Sequence, residues 1–195
     1  MKNTVKISII SAVAAGCIAL VIICHMDIGG YQNEIPVSLL HASYAIDVNN
    51  MKAVVGFSDY VFVADVKALE KTEYNGALPY SVYTLRVREN IKGELVTDKD
   101  ISVRKAGGIS SDGKAYFVYD DDILPEIGGR YIFIASGQPE GVLIVCGANS
   151  TFSVDMSLTD DDLQEDNNYK KVKDAVKKEI VYDRKRDKSI YDLNY

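Results

Sequence analysis

A series of apolar runs between Ser58 and Val145, punctuated by Gly, Pro and Asn, restricts this chain more than any other feature. Tyr60–Val66 is β-branched and aromatic, and both of its alternating faces are largely apolar, which predicts a strand buried on both sides. In Tyr80–Ile91, Tyr83, Leu85 and Val87 fall on one face and Thr84, Arg86 and Arg88 on the other. That period of two predicts a strand with one face on a core and one in water. Lys92-Gly93 ends the run, and Ile101 and Val103 alternate with Ser102 and Arg104 in a third strand. Tyr131–Ala135 and Val142–Val145 flank Gly137–Gly141, a hairpin signal. Five such strands predict a mainly β architecture, a small barrel or sandwich; closure would also remove exposed edges.

The flanks differ in character. Lys2 and Lys6 precede Ile7–Cys24, a run of eighteen residues without a charge, just enough to span a bilayer as a helix. Positive charge on its N-terminal side predicts a single-pass anchor with the remainder outside the cytoplasm. A cleaved signal peptide, or lipidation at Cys17 after Ala14-Ala15-Gly16, stays open beside it; all three place the domain outside the cytoplasm. The expected organisation is an anchor or signal over 1–24, a linker over 25–45, the barrel domain over 46–153 and a helical tail over 154–195. Within the barrel domain, Ile46–Phe57 predicts a short helix capped by Asp47 or Asn49, with Met51, Val54 and Val55 on one face. In the tail, Thr159 followed by Asp160–Asp162 predicts a helix start, with lysines toward the other end and a stripe of Leu163, Tyr169, Val172, Val176 and Ile180. Ser189–Tyr195 is expected to fray.

The runs "SDYVFVADV", "YTLRVRENIKGEL", "ISVRKAGG", "LPEIGGRYIFIASG" and "GVLIVCGANS" resemble bacterial cell-surface proteins carrying an OB-fold of the kind seen in tissue inhibitors of metalloproteinases and netrin modules. The resemblance spans roughly Asp47 to Phe152 and implies an OB-like barrel. The inhibitors chelate a protease zinc through an N-terminal cysteine in a disulfide-rich domain. This chain has no cysteine near Asp47, and Cys146 is the only one outside the apolar N-terminal run, so no inhibitory residue carries over.

Composition narrows the chemistry. The net charge is −6, and setting aside Lys2 and Lys6 leaves 20 basic against 28 acidic side chains. An acidic domain is a poor match for a phosphate backbone, which argues against nucleic acid as a partner. The only two histidines, His25 and His41, precede the predicted domain, so a Ser-His-Asp or Cys-His arrangement is hard to build. Zinc spacing, a P-loop and a dinucleotide fingerprint are missing, and neither a cofactor nor an enzymatic activity is expected. Cys146 reads as a small buried hydrophobe, and Asp59 as a structural hydrogen-bonding residue.

One loop stands out. Ala106–Gly129 is the longest interruption and contains Gly107, Gly108, Asp120, Asp121 and Asp122. Long loops in compact domains often bind, so these five residues form the candidate interaction loop. Neither Asp120–Asp122 nor Asp160–Asp162 has the alternate-position spacing of a calcium loop, and no metal site is expected. The sequence therefore predicts a membrane-anchored binding module outside the cytoplasm, partnered by an extracellular protein or a cell-wall component. The alternative is a protease inhibitor of different chemistry.

Overall fold

The computed structural model describes residues 35–194. The expected membrane-spanning run over 7–24 lies outside them; among the described residues, no helix is long and apolar enough to cross a membrane. The elements in order are β1 (Val37–Leu40), α1 (Met51–Phe57), β2 (Tyr60–Asn75), β3 (Leu78–Lys92), β4 (Asp100–Ala106), β5 (Gly108–Ile109), β6 (Tyr116–Tyr119), β7 (Arg130–Gly137), β8 (Leu143–Val145), β9 (Thr151–Val154) and α2 (Asn167–Lys177). A 3₁₀ turn at Leu163–Glu165 leads into α2.

The main sheet runs β2–β3–β4–β8–β7, and β7 returns to pair with β2, so the sheet closes partly into a ring. Every pairing in this circuit is antiparallel except β4 with β8. The free edge of β7 over Arg130–Phe133 takes β9. Register shifts between Val61 and Phe62, Val63 and Ala64, Val66 and Ala68, and Leu69 and Lys71 mark bulges in β2. Bulges add local bend and twist, which curve a long hairpin around a core.

β2 and β3 are longer than the sequence pattern suggests. The residues read as a connection, Glu70–Leu78, continue both strands to a two-residue turn at Gly76-Ala77. Alternation fades there because this end of the hairpin is solvated on both faces.

The period-two reading of the second strand holds. Tyr83, Leu85 and Val87 point into the ring beside Phe62, Phe133, Val103 and Leu143. Both faces of β2 are indeed buried: Tyr60, Phe62, Ala64 and Val66 face the ring interior, while Val61 and Val63 join a second core. That outer core also contains Ile132 and Ile134 of β7, Val54 and Val55 of α1, and Tyr169, Val172 and Leu163 from the C-terminal region.

Several boundaries differ from expectation. The helix before β2 starts later, and its N-cap is Asn50, whose side chain accepts from Lys52 N at 3.1 Å; Asp47 instead accepts from Asn49 N at 3.0 Å in the preceding turn. The later helix starts at Asn167, not after Thr159, because the carboxylate of Asp166 accepts from Tyr169 N at 2.9 Å. Ile180 falls beyond it and is exposed. Val37–Leu40, inside the expected linker, pairs in parallel with β6. Its alternate residues Val37 and Leu39 face water, so no apolar period announced it.

Ser189–Leu193 is not frayed. Ser189 is fully buried and donates its N–H to Tyr60 Oη at 2.8 Å. Tyr60 in turn donates to Asp192 at 2.9 Å, and Leu95 bridges Asp192 in antiparallel fashion. Upstream, Arg184 and Arg186 reach the Asp59 carboxylate at 2.6 and 3.1 Å, and Gly137 N donates to the same group at 3.0 Å. The structural role read for Asp59 is thus that of a buried anchor for the C-terminal segment.

Candidate functional site

The alternation that sends Ile101 and Val103 inward also sends Lys105 inward, at one end of the ring. Lys105 is 1 % exposed. An isolated buried ammonium would be prohibitively costly, so it must be paired and hydrogen-bonded. Its Nζ donates to Asp122 Oδ2 and to Ser150 Oγ, the latter at 3.1 Å, and Ser150 Oγ donates to the same carboxylate oxygen at 2.9 Å. Burial pushes the Lys105 ammonium below its ordinary pKa, against the attraction of Asp122.

Around this pair stand Tyr119, Cys146 and Tyr44. Burial raises the Tyr119 phenol to about 12, with the nearby Cys146 adding to the shift. Cys146 is exposed, contrary to the expectation of a buried hydrophobe. It follows Leu143 and Val145 of β8, which point inward, so the next alternate position turns outward. Desolvation by its neighbours raises the thiol pKa despite Lys105 nearby.

A cleft of ≈ 480 Å³ opens beside this cluster on the outer face of β7 and β8. Ile134, Ile144 and Ala148 contribute apolar surface, with Val54 and Phe57 of α1; Ser136, Ser150 and Gln138 supply polar atoms. The segment around Tyr44 forms one wall, held where Ala148 N donates to Tyr44 Oη at 3.0 Å and Asn149 Nδ2 donates to Val48 O at 3.2 Å. Gly147 makes this wall fit: its φ is +95°, and a Cβ there would meet the Tyr44 ring at 2.8 Å.

The five residues of the candidate interaction loop separate. Gly107 and Gly108 adopt φ of +110° and +136° where the chain leaves β4 and doubles over Pro79 and Ser81. Ser81 N and Oγ both donate to Gly107 O, at 3.1 and 2.9 Å. Asp120 lies on the surface 3.4 Å from His41, Asp121 accepts Asn149 N through its carbonyl, and only Asp122 turns inward. Among the described residues, no three His, Cys, Asp or Glu side chains converge on a metal position.

Sequence reasoning missed Lys105, although the period of two already assigned it an interior position. It also missed the cleft, whose walls come from residues about a hundred positions apart. Compared with known proteins, the chain matches no family model, and no curated protein matches it significantly.

Proposed function

We propose that this chain is a membrane-anchored binding module acting outside the cytoplasm, built on an OB-type barrel, with the cleft over β7 and β8 as its ligand site. The cleft is the observation that carries this reading. Its volume falls within the range of about 300–1,000 Å³ typical of ligand sites, and it joins an apolar floor to a few convergent polar groups. The barrel assignment is supported by the five-strand circuit, a meander of three strands followed by a parallel pairing of the third with the last. The anchor and its orientation rest on the uncharged run over 7–24 behind Lys2 and Lys6. The ligand is an apolar group with one or two hydrogen-bonding atoms, presented by an extracellular protein or a cell-wall component. The acidic balance disfavours nucleic acid.

The test is retention of cell-envelope components by the full-length protein and by Ala45→Trp. Ala45 is exposed and lines the cleft, so the indole fills the site without disturbing the core. A component held by the wild type and released by Ala45→Trp supports the reading. Equal retention removes the cleft from it, and capture of a metalloprotease by both proteins turns the assignment toward an inhibitor.

A further inference from the structure

Between Lys170 and Lys178, a chain whose net charge is −6 carries five lysines and one aspartate. The apolar side of α2 is spent on the outer core, where Tyr169 and Val172 are fully buried and Ala175 nearly so. Charged residues make up its exposed side. Lys171 and Lys178, the latter at the C-cap, lie seven positions apart, two turns and about 10 Å along one side of the helix. A groove of ≈ 480 Å³ opens beside them against the start of α1, and Lys52 lines it from that helix. Most Lys and Arg side chains of this protein sit within reach of a carboxylate, as Arg88, Arg130 and Lys173 do. Lys52, Lys171 and Lys178 have no such partner among the described residues. The one carboxylate in the lining, Asp174, pairs at 3.5 Å with Lys177, which stands outside the groove. Three exposed ammonium groups therefore share this groove without a counter-ion.

Charge calls for an anionic partner, and the composition of the lining selects its class. Protein interfaces are anchored by aromatic residues and arginine and are depleted in lysine. This lining has neither an aromatic residue nor an arginine. Single-stranded nucleic acids need aromatic platforms for their bases, which are missing for the same reason. A bilayer surface holds a helix through apolar side chains among the basic ones, and those of α2 are buried. Arginine forks suit planar carboxylates, whereas lysine acts as a point charge, the form in which it commonly binds phosphate. The occupant that remains is a hydrophilic chain with phosphates repeated along it, which can meet both ends of the lysine pair at once. The acidic remainder of the protein does not prevent this, because its field fades over about 8 Å at physiological ionic strength. A thin chain in the groove meets the lysines first, whereas a broad duplex would also meet the acidic flanks.

We propose that the groove between α1 and α2 is a docking site for a linear phosphodiester polymer of the cell envelope, held by Lys52, Lys171 and Lys178. Only the source of the polymer rests on the placement outside the cytoplasm. The experiment follows the fluorescence anisotropy of labelled poly(glycerol phosphate) with the full-length protein in nanodiscs of zwitterionic lipid. Saturable binding is expected, and log affinity should fall against log salt with a slope of about −2, as counterions leave three phosphates of a flexible strand. Lys171→Gln and Lys178→Gln change exposed side chains and leave the fold intact. Each should weaken binding several-fold and lower the slope by about 0.7. Lys114→Gln, on an exposed turn before β6, should change neither quantity. Ala45→Trp, in the cleft over β7 and β8, should also bind as the wild type does, so failure of either site is distinguishable from failure of the other. The proposal is overturned by no saturable binding, or by a loss in Lys114→Gln equal to that in Lys171→Gln, which would mark diffuse attraction. Competition by monomeric glycerol phosphate at equal phosphate concentration would overturn it in favour of a single-anion site. Tighter binding of an oligodeoxynucleotide or of polyglutamate, or displacement by phosphatidylglycerol vesicles, would overturn it in favour of nucleic acid, an acidic protein segment or a lipid surface.

Discussion

The inside of the ring and the layer wrapped around it are built from the same strands but held by different means. Inside, Phe62, Leu85, Phe133 and Leu143 project from strands tied to one another through a nearly continuous hydrogen-bonded circuit. Outside, Val61, Val63, Ile132 and Ile134 lie beneath α1, α2 and Leu163. No backbone ladder joins those helices to the sheet. Their docking rests on apolar contact and on a few polar ties, such as the Tyr169 hydroxyl among Glu89, Gln164 and Lys173. A strand serving both cores must be apolar on both faces, which explains the composition of Tyr60–Val66. The inner core can be lost only with the strand register, whereas the outer one can open when a helix lifts.

The largest expected effect lies inside. Phe62→Ala and Phe133→Ala should each cost about 3–5 kcal/mol, and Leu85→Ala about 2–5 kcal/mol, by chemical denaturation. The two phenylalanine rings stack at 5.7 Å, so their losses should also be non-additive in the double variant. Additive losses would separate what the structure joins.

Next comes the charge at the end of the ring. Lys105→Met leaves Asp122 buried without its counter-ion and should cost about 3 kcal/mol or more, while Lys105→Met combined with Asp122→Leu should recover most of it. A well-tolerated single variant would mean that water reaches this end of the inner core.

Acid probes the wall between the two cores. Burial alone would raise the Asp65 pKa, but Arg130 and Arg88 donate to it at 2.7 and 2.8 Å and hold it below the ordinary carboxylate range. A depressed folded value means that the unfolded chain binds the proton more readily. The resulting stabilisation is full above the unfolded value, about 3.9, and is lost as pH falls through the folded one. Urea denaturation from neutral pH into this acid range should show that slope, and Asp65→Asn should flatten it.

A smaller effect sharpens the contrast directly. Tyr169→Phe should cost about 1 kcal/mol. In hydrogen exchange, α2 amides should open locally while those of β2 and β7 exchange only with global unfolding. Equal protection would merge the two cores into one cooperative unit. The smallest effects belong to Thr84→Ala and Arg86→Ala, each well under about 1 kcal/mol, since the Arg86–Asp100 pair is solvated. Arg86→Ala as costly as Leu85→Ala would refute the facing of β3.

What the sequence made legible follows from local rules. Alternation identified the faces of β3 and β4, and β-branched runs located β2 and the hairpin of β7 with β8. β1 and β9 were not legible: four residues give too short a window for a period, and their pairing depends on partners far along the chain. Arg88 shows the same limit, because its position on the solvent face concealed its reach to Asp65. The candidate loop was right to attract attention at Asp122, but nothing local distinguished that residue from Asp120 and Asp121. Only the inward lysine at the end of β4 does so.

The clamp on Asp59 has a consequence in time. Its partners Arg184 and Arg186 lie 125 and 127 residues further along. At synthesis rates of about 5–20 residues per second, the carboxylate exists for roughly 6–25 s before either guanidinium is made. The strands of the ring are complete once Val145 is made, before either guanidinium exists, yet the entry to the first of them carries an uncompensated charge in a place that later becomes dry. The ring can therefore assemble early but settle only late, when residues 184–192 are laid across it. A chain interrupted in between would remain readable as unfinished to any protease or chaperone that samples open states.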